Sequence, residues 1–371
     1  MVACDLLLIV TIQQINCRIA VAKSMPDCFL LVIITGAVMF KKIIPIILAA
    51  ALIVPGTAFA QAKPKVKLGF AKCAHCLPMA LTPELASDAD IEAINFNSGN
   101  DVLTALVSKS IDVAQVTYLH YVTALDKGFD VVAISGQVNG GSEMISAKGL
   151  ALKENDWNGL KKLIAEYKAQ GKPFRIAASR GNAQDIHMRG ELMLNGINPN
   201  RDVQFVNIPN PSDHSAALQR GEIELICTVE PFAAQIRLSG VGKSFALPYK
   251  QAAGNLTNLI VTRSDVIKDN PLAVRETVRA VVKLVDKLKT DRKIWVDVIN
   301  KNTAMDATVA NEALKNASPD YAMHRKQAQA IAVMMKDLKY VSRDVSAEVD
   351  AHMDYRFLSE VTGKPKTELG Y

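Results

Sequence analysis

No apolar stretch in the 371-residue chain reaches the roughly twenty residues that a membrane-spanning helix needs. No block of like charge stands out either: 43 basic against 37 acidic residues leave a net +6, spread along the chain. An excess that is not clustered argues against nucleic acid as a partner and leans slightly towards anionic ligands. Histidine is scarce, and its six copies form neither an H-E-x-x-H motif nor a Ser/His/Asp order, so nucleophilic and metallohydrolase catalysis find no support. The segment Ser239 to Ser244 ends like a phosphate-binding loop, but position 237 is Arg where that loop needs glycine. With 20 Gly and 15 Pro, neither a collagenous repeat nor wholesale disorder fits. The length implies two domains or one large bilobed unit.

What is present begins with an address label. From Met39 the chain reads Lys41-Lys42, an apolar run from Ile43 to Pro55, then Ala58-Phe59-Ala60. A basic start, a short apolar run and a small-x-small site describe a secretory signal over 39–60, cleaved after Ala60. Residues 1–38 carry apolar patches with Cys4, Cys17 and Cys28, and read as a start assigned too early or as a membrane-associated extension. No lipid-bearing cysteine follows Ala60, and Cys73, Cys76 and Cys227 remain for an oxidising compartment.

The mature chain alternates strand and helix signals. Strands are expected at Val66 to Phe70, Ile91 to Phe96, Val113 to Tyr118 and Val131 to Ser135, with helices over Asp101 to Ser110 and Tyr121 to Lys127. The grammar restarts at Phe174 to Ser179, with a helix over Ala183 to Asn195, strands at Val203 to Ile208 and Ile223 to Val229, and a helix over Asp213 to Arg220 between them. Asp101, Ala105, Leu106, Ile111 and Asp112 correspond, at an offset of 112, to Asp213, Ala217, Leu218, Ile223 and Glu224. The repeat reads as an acid capping a short helix before an apolar-acid pair that opens a strand. Two copies make two similar α/β lobes, not a solenoid.

After a strand at Leu256 to Thr262 the chain turns helical. Asp269-Asn270-Pro271 should cap a long helix to about Leu288, striped by Val274, Val278, Val281, Val282 and Val285. Further helices are expected over 291–300, 308–316, 324–338 and 346–361. Ligands of such α/β lobes bind at the carboxyl ends of strands, between the domains.

The run Asn97-Ser98-Gly99-Asn100-Asp101-Val102-Leu103-Thr104-Ala105-Leu106 carries a resemblance, with Ile111-Asp112-Val113-Ala114, Leu218 to Glu224, Glu230-Pro231 and Asp265 to Pro271. In this order and spacing the chain resembles periplasmic substrate-binding proteins of the nitrate, sulfonate and taurine type, a group that includes binders of thiamine-pyrimidine precursors. The resemblance implies an α/β, two-lobed clamshell of the type II periplasmic-binding-protein class, each lobe a mixed, mostly parallel sheet flanked by helices. Lobe one would comprise 61–146 and 255–371, and lobe two 147–254, hinged near 143–149 and 252–257. It implies a periplasmic monomer that delivers a small organic solute (sulfonate-like, zwitterionic or pyrimidine-like) to an ABC permease at the inner membrane, without cofactor, nucleic acid or reaction. Two alternatives stand beside it: a metal-binding periplasmic protein, and a pyrimidine-synthesis enzyme of the same fold.

Two strand-to-helix junctions should face the cleft, Ser98 to Asp101 and Ser179 to Gln184. Free N–H groups and the positive end of a helix dipole make each an anion or carbonyl site. Ser98, Asn100, Gly181, Asn182 and Gln184 are candidate contacts, and Arg180 is placed to fork onto a sulfonate or carboxylate; plain capping beside a solvated Arg is the alternative. Strand ends add Tyr118, His120, Gln137, Asn139, Thr228 and Glu230. Tyr118 offers a stacking face or an ordinary core side chain, and Glu230 would favour a zwitterion or pyrimidine by accepting from an N–H donor. Where relatives carry a small or polar loop, this chain has Cys73-Ala74-His75-Cys76. Three readings stay open for it: a Cys73–Cys76 disulfide, free thiols lining the pocket, or a metal site completed by Cys227 or a distant histidine.

Overall fold

The computed structural model describes residues 62–371, together with three short strands before them, β1 (Ile9–Thr11), β2 (Arg18–Lys23) and β3 (Leu30–Thr35), which pair antiparallel as a separate unit. The expected signal at 39–60, its cleavage site and Cys4, Cys17 and Cys28 lie outside the described residues.

Eleven strands follow: β4 (Lys65–Ala71), β5 (Asp90–Phe96), β6 (Val113–Thr117), β7 (Val132–Gly140), β8 (Ser142–Ala147), β9 (Arg175–Ala178), β10 (Gln204–Asn207), β11 (Leu225–Val229), β12 (Gly242–Ala246), β13 (Asn258–Thr262) and β14 (Ala317–Asp320). They form a six-stranded sheet ordered β14-β7-β13-β6-β4-β5 and a five-stranded sheet ordered β10-β9-β11-β8-β12. The central strands β6 and β11 read as apolar runs because both of their faces are covered. They stand 112 residues apart, and each lies parallel to the strand two before it in chain order, β4 or β9. Antiparallel beside them run β13 and β8. The duplication in the sequence is therefore a duplication of sheet order.

The acid in that repeat does not cap its helix. Ser98 caps Gly99–Val107 by accepting from the Asp101 N–H at 3.3 Å, while Asp101 accepts from the Ser98 hydroxyl at 2.9 Å. A serine oxygen reaches the first-turn N–H from the cap position, which Asp101, already inside the turn, cannot occupy. Asp213, at the start of His214–Gln219, makes no side-chain cap bond.

The lobe boundary also differs from the expectation. β8 belongs to the five-stranded sheet, so the first crossover is Gly140-Gly141 and not 143–149. Both glycines sit at positive φ, +92° and +85°, where a side chain would be strained. The return crossover, between β12 and β13, is tied to the first: Gly140 donates to the Asn255 carbonyl at 2.8 Å and accepts from the Thr257 hydroxyl at 2.8 Å.

Asn270 caps the helix Pro271–Thr290 by accepting from the Ala273 N–H, and all five stripe valines are buried against the first sheet and its neighbours. Each fully buried valine contributes roughly 1.5–3 kcal/mol. The helix expected over 346–361 is two, Ser346–Ala351 and Arg356–Thr362. Between them the backbone leaves the helix to pair with Ala133 of β7, which exchanges hydrogen bonds with His352 and Asp354 at 2.8 Å each.

Candidate functional site

A small cavity of about 50 Å³ lies where the two sheets present the carboxyl ends of their parallel strands. From the first lobe it is walled by the loop after β4 (Ala71 to Cys73, His75, Cys76), by Asn97, Ser98 and Gly99 after β5, and by Gln115 and Thr117 of β6. Ser142 and Thr257 enter from the two crossovers, and Ser179, Asn182, Ala183, Gln184 and Val229 from the second lobe. Among the described residues no carboxylate lines it, and Lys72 is its one charged side chain.

Two helices point their N-termini at this space. Gly99–Val107 begins at Ser98, and Ala183–Leu194 begins at Asn182, whose side chain makes no capping bond. Helical N–H groups left without a partner carry partial positive charge, so both ends favour a negative group between them. Close approach needs glycine at 99: a Cβ there would lie 2.5 Å from His120 Cε1 and 3.0 Å from Asn182 Oδ1 across the cleft. The lobes are thus closed upon each other. Asn100 reinforces this by donating to the Arg180 carbonyl at 3.2 Å, and Tyr340 donates to Asp185.

The loop after β4 is held on both sides. Cys73 and Cys76 are joined by a disulfide, the Ala74 N–H donates to the Glu230 carbonyl at 2.9 Å, and Trp295 Nε1 donates to the Ala74 carbonyl at 2.7 Å. His75 is buried with its Nδ1 lacking a hydrogen-bond partner, against Gly141 of the crossover. Burial, with a smaller effect from His187, lowers its pKa to about 3, so the imidazole is neutral.

Of the residues singled out from sequence, Cys73, His75, Cys76, Ser98, Asn182 and Gln184 line the cavity together. The others do not. Tyr118 is core: it is buried and its hydroxyl donates to the Met323 carbonyl at 2.6 Å. His120 serves the cap of its own helix, Tyr118–Asp126, accepting the Thr117 N–H at Nδ1 and so donating from Nε2 to Asn100 Oδ1 at 3.1 Å. Burial lowers its pKa to about 4, and Asn100 is occupied by His120 and Arg180. Gln137 accepts from Asn258 within the first sheet, and Asn139 accepts from the Thr257 N–H between the crossovers. Arg180 stacks its guanidinium 4.8 Å over the Phe205 ring, and the Gly181 N–H is taken by Asp185. Thr228 bonds His214 at 2.7 Å.

Glu230 is the clearest correction. Its carboxylate accepts from the Ala234 N–H at 2.9 Å, at the start of Phe232–Leu238, and pairs with Arg237 at 3.4 Å. Arg237 also meets Glu143 and Glu312. Burial raises the Glu230 pKa to about 8, against the opposing pull of Arg237. A carboxyl committed to a helix end and an arginine inside the protein is not offered to a solute. Cys227 is likewise buried in the second lobe's core with Met144 and Phe245, apart from the other two cysteines.

Sequence reasoning passed over Lys72, Gln115, Thr117, Ser142 and Thr257. Gln115 carried a signal, being a lone amide in the otherwise apolar start of β6.

Residues 60–300 match the model of the NMT1-like family. The nitrate/nitrite binding protein NrtA of Synechococcus elongatus is 28% identical over 163 residues, covering 43% of this chain and 35% of that protein. Its counterpart from Nostoc sp. is 25% identical over 231 residues, covering 59% and 52%. The chain thus spans about half or less of these relatives' length. Among solved structures, the periplasmic nitrate-binding protein NrtA from Synechocystis PCC 6803 superposes with a TM-score of 0.70 at 17% identity, over 83% of this chain and 91% of that one. The alkanesulfonate-binding protein SsuA from Xanthomonas axonopodis pv. citri, bound to MOPS, gives 0.65 at 17%, over 79% and 99%. The shared fold is that of the two-lobed periplasmic binding proteins.

Proposed function

The chain belongs to the NMT1-like family, and from that premise we propose that it is a periplasmic receptor that closes on a small organic anion or zwitterion and delivers it to an ABC importer. The observation that carries the reading is the cavity lining: two helix N-termini, one from each lobe, converge on a space whose one charged lining side chain among the described residues is Lys72. A sulfonate or carboxylate placed there gains fixed N–H dipoles from both lobes at once, so binding it stabilises the closed form. Uncharged Ser, Thr, Asn and Gln side chains around the rim suit the remaining polar atoms of such a solute. A pyrimidine loses its main support, and a zwitterion's ammonium the acceptor expected for it, because Glu230 is engaged elsewhere. Solute would be released unchanged to a permease, with the receptor acting as a monomer and catalysing nothing.

The test is titration calorimetry with taurine, a short alkanesulfonate, nitrate and an uncharged aminopyrimidine. The reading expects one sulfonate per chain, bound more weakly as salt rises. An aminopyrimidine that binds while both sulfonates fail would overturn it.

A further inference from the structure

We propose that Cys73, Cys76 and His75, once the disulfide is reduced, form a binding site for copper(I). This goes beyond the receptor reading and does not depend on it. One potential ligand atom from each residue lies within 4.8 Å of the others, and all three residues are buried in the cavity wall. Among the described residues the buried His75 Nδ1 has no hydrogen-bond partner, an unfavourable state for a buried polar atom. A ligand for this ring is therefore the missing element of the site.

The donor set selects the cation. Two sulfurs and an imidazole, with no carboxylate in the lining among the described residues, disfavour calcium and magnesium and suit a soft ion. Structural zinc takes four protein ligands, and Cys227, the nearest candidate by chemistry, lies in a different core. Two thiolates and one imidazole suit copper(I). The loop needs little rearrangement, since the bonds to the Glu230 carbonyl and from Trp295 fix its backbone independently of the disulfide.

The site is switched by electrons. A dithiol reductant gives two electrons and two protons: the S–S bond breaks, two thiols form, and the reductant leaves as its own disulfide. Copper(I) then displaces both thiol protons to solvent and binds two thiolates and one imidazole nitrogen. Because the same side chains wall the solute cavity, copper and solute compete.

The experiment offers copper(I), under anaerobic conditions, to the purified protein against the chromogenic chelator bicinchoninate. Dithiothreitol-reduced protein, desalted first, should hold one copper per chain and the oxidised protein none, a comparison that needs no variant. His75→Gln should weaken binding at least tenfold, and Cys73→Ser with Cys76→Ser should abolish it, each checked for folding by circular dichroism. X-ray absorption should find two sulfur neighbours and one nitrogen. Equal uptake by oxidised and reduced protein would overturn the proposal, as would unchanged affinity in His75→Gln. A reduced site that holds zinc(II) against chelator but yields copper(I) would also overturn it.

Discussion

Replacing Asn100 by alanine separates what closes the lobes from what folds them. The side chain does two jobs: its amide donates to the Arg180 carbonyl of the opposite lobe, and its oxygen accepts from His120 Nε2 of its own lobe. The first bond exists only when the cleft is shut, so its loss appears in solute affinity; the second exists open or shut, so its loss appears in stability. An exposed neutral hydrogen bond is worth about 0.5–1.5 kcal/mol net, which is about a two- to thirteen-fold loss of affinity. Leaving a buried imidazole N–H unpaired costs about 1–3 kcal/mol, less whatever water recovers at this partly open position. Calorimetry on the variant reads the first number and a urea melt without solute reads the second. Affinity that stays at the wild-type value while stability falls would show that the Asn100–Arg180 contact plays no part in closure.

Three further outcomes follow from the geometry. Gly141→Ala should destabilise the protein by roughly 1–3 kcal/mol, because its Cβ would sit 2.4 Å from His75 Nδ1 at a φ of +85°; an unchanged melting curve would refute this. Burial raises the Glu230 pKa from 4.5 to about 8, with Arg237, Glu143 and Glu312 as its charged neighbours. Between those two values the folded chain binds more protons than the unfolded one, so stability should fall as pH rises from about 5 to 8, and Glu230→Gln should flatten that slope. The Cys73–Cys76 disulfide closes only a four-residue loop, so on its reduction chemical denaturation should register a loss of about 2 kcal/mol at most.

Much of the architecture was legible because it rests on local chemistry. Parallel central strands need apolar runs, so Val113 and Leu225 announced β6 and β11, and the Asn270-Pro271 start fixed the longest of the described helices. The junctions at Ser98 and Asn182 were legible for the same reason: a strand ending in polar residues before a helical stripe must present a helix N-terminus. The cavity wall was harder, since it depends on which way a residue faces at a strand end. One step separates Thr117, in the wall, from Tyr118, in the core, and no periodicity resolves a single step there. Ser142 and Thr257 line the site only because the chain crosses between sheets at Gly140-Gly141 and again before β13, a long-range event. Glu230 stood at a strand end as a candidate acceptor, and its partner Arg237 lies at the far end of the helix that follows, so only the folding of that helix brings them together.

The central claim is that a negative group sits between two helix N-termini, and Asn182→Asp tests it most directly. Aspartate is as good a helix cap as asparagine, so the fold should hold, yet it adds a negative charge to the cavity wall. At about 5 Å and an effective dielectric near 20, repulsion between two unit charges is about 3 kcal/mol. Calorimetry with the best-binding sulfonate should therefore show at least a roughly tenfold loss of affinity in a variant that melts no earlier than wild type. Undiminished sulfonate binding by a folded Asn182→Asp protein would mean that the anion is not held there.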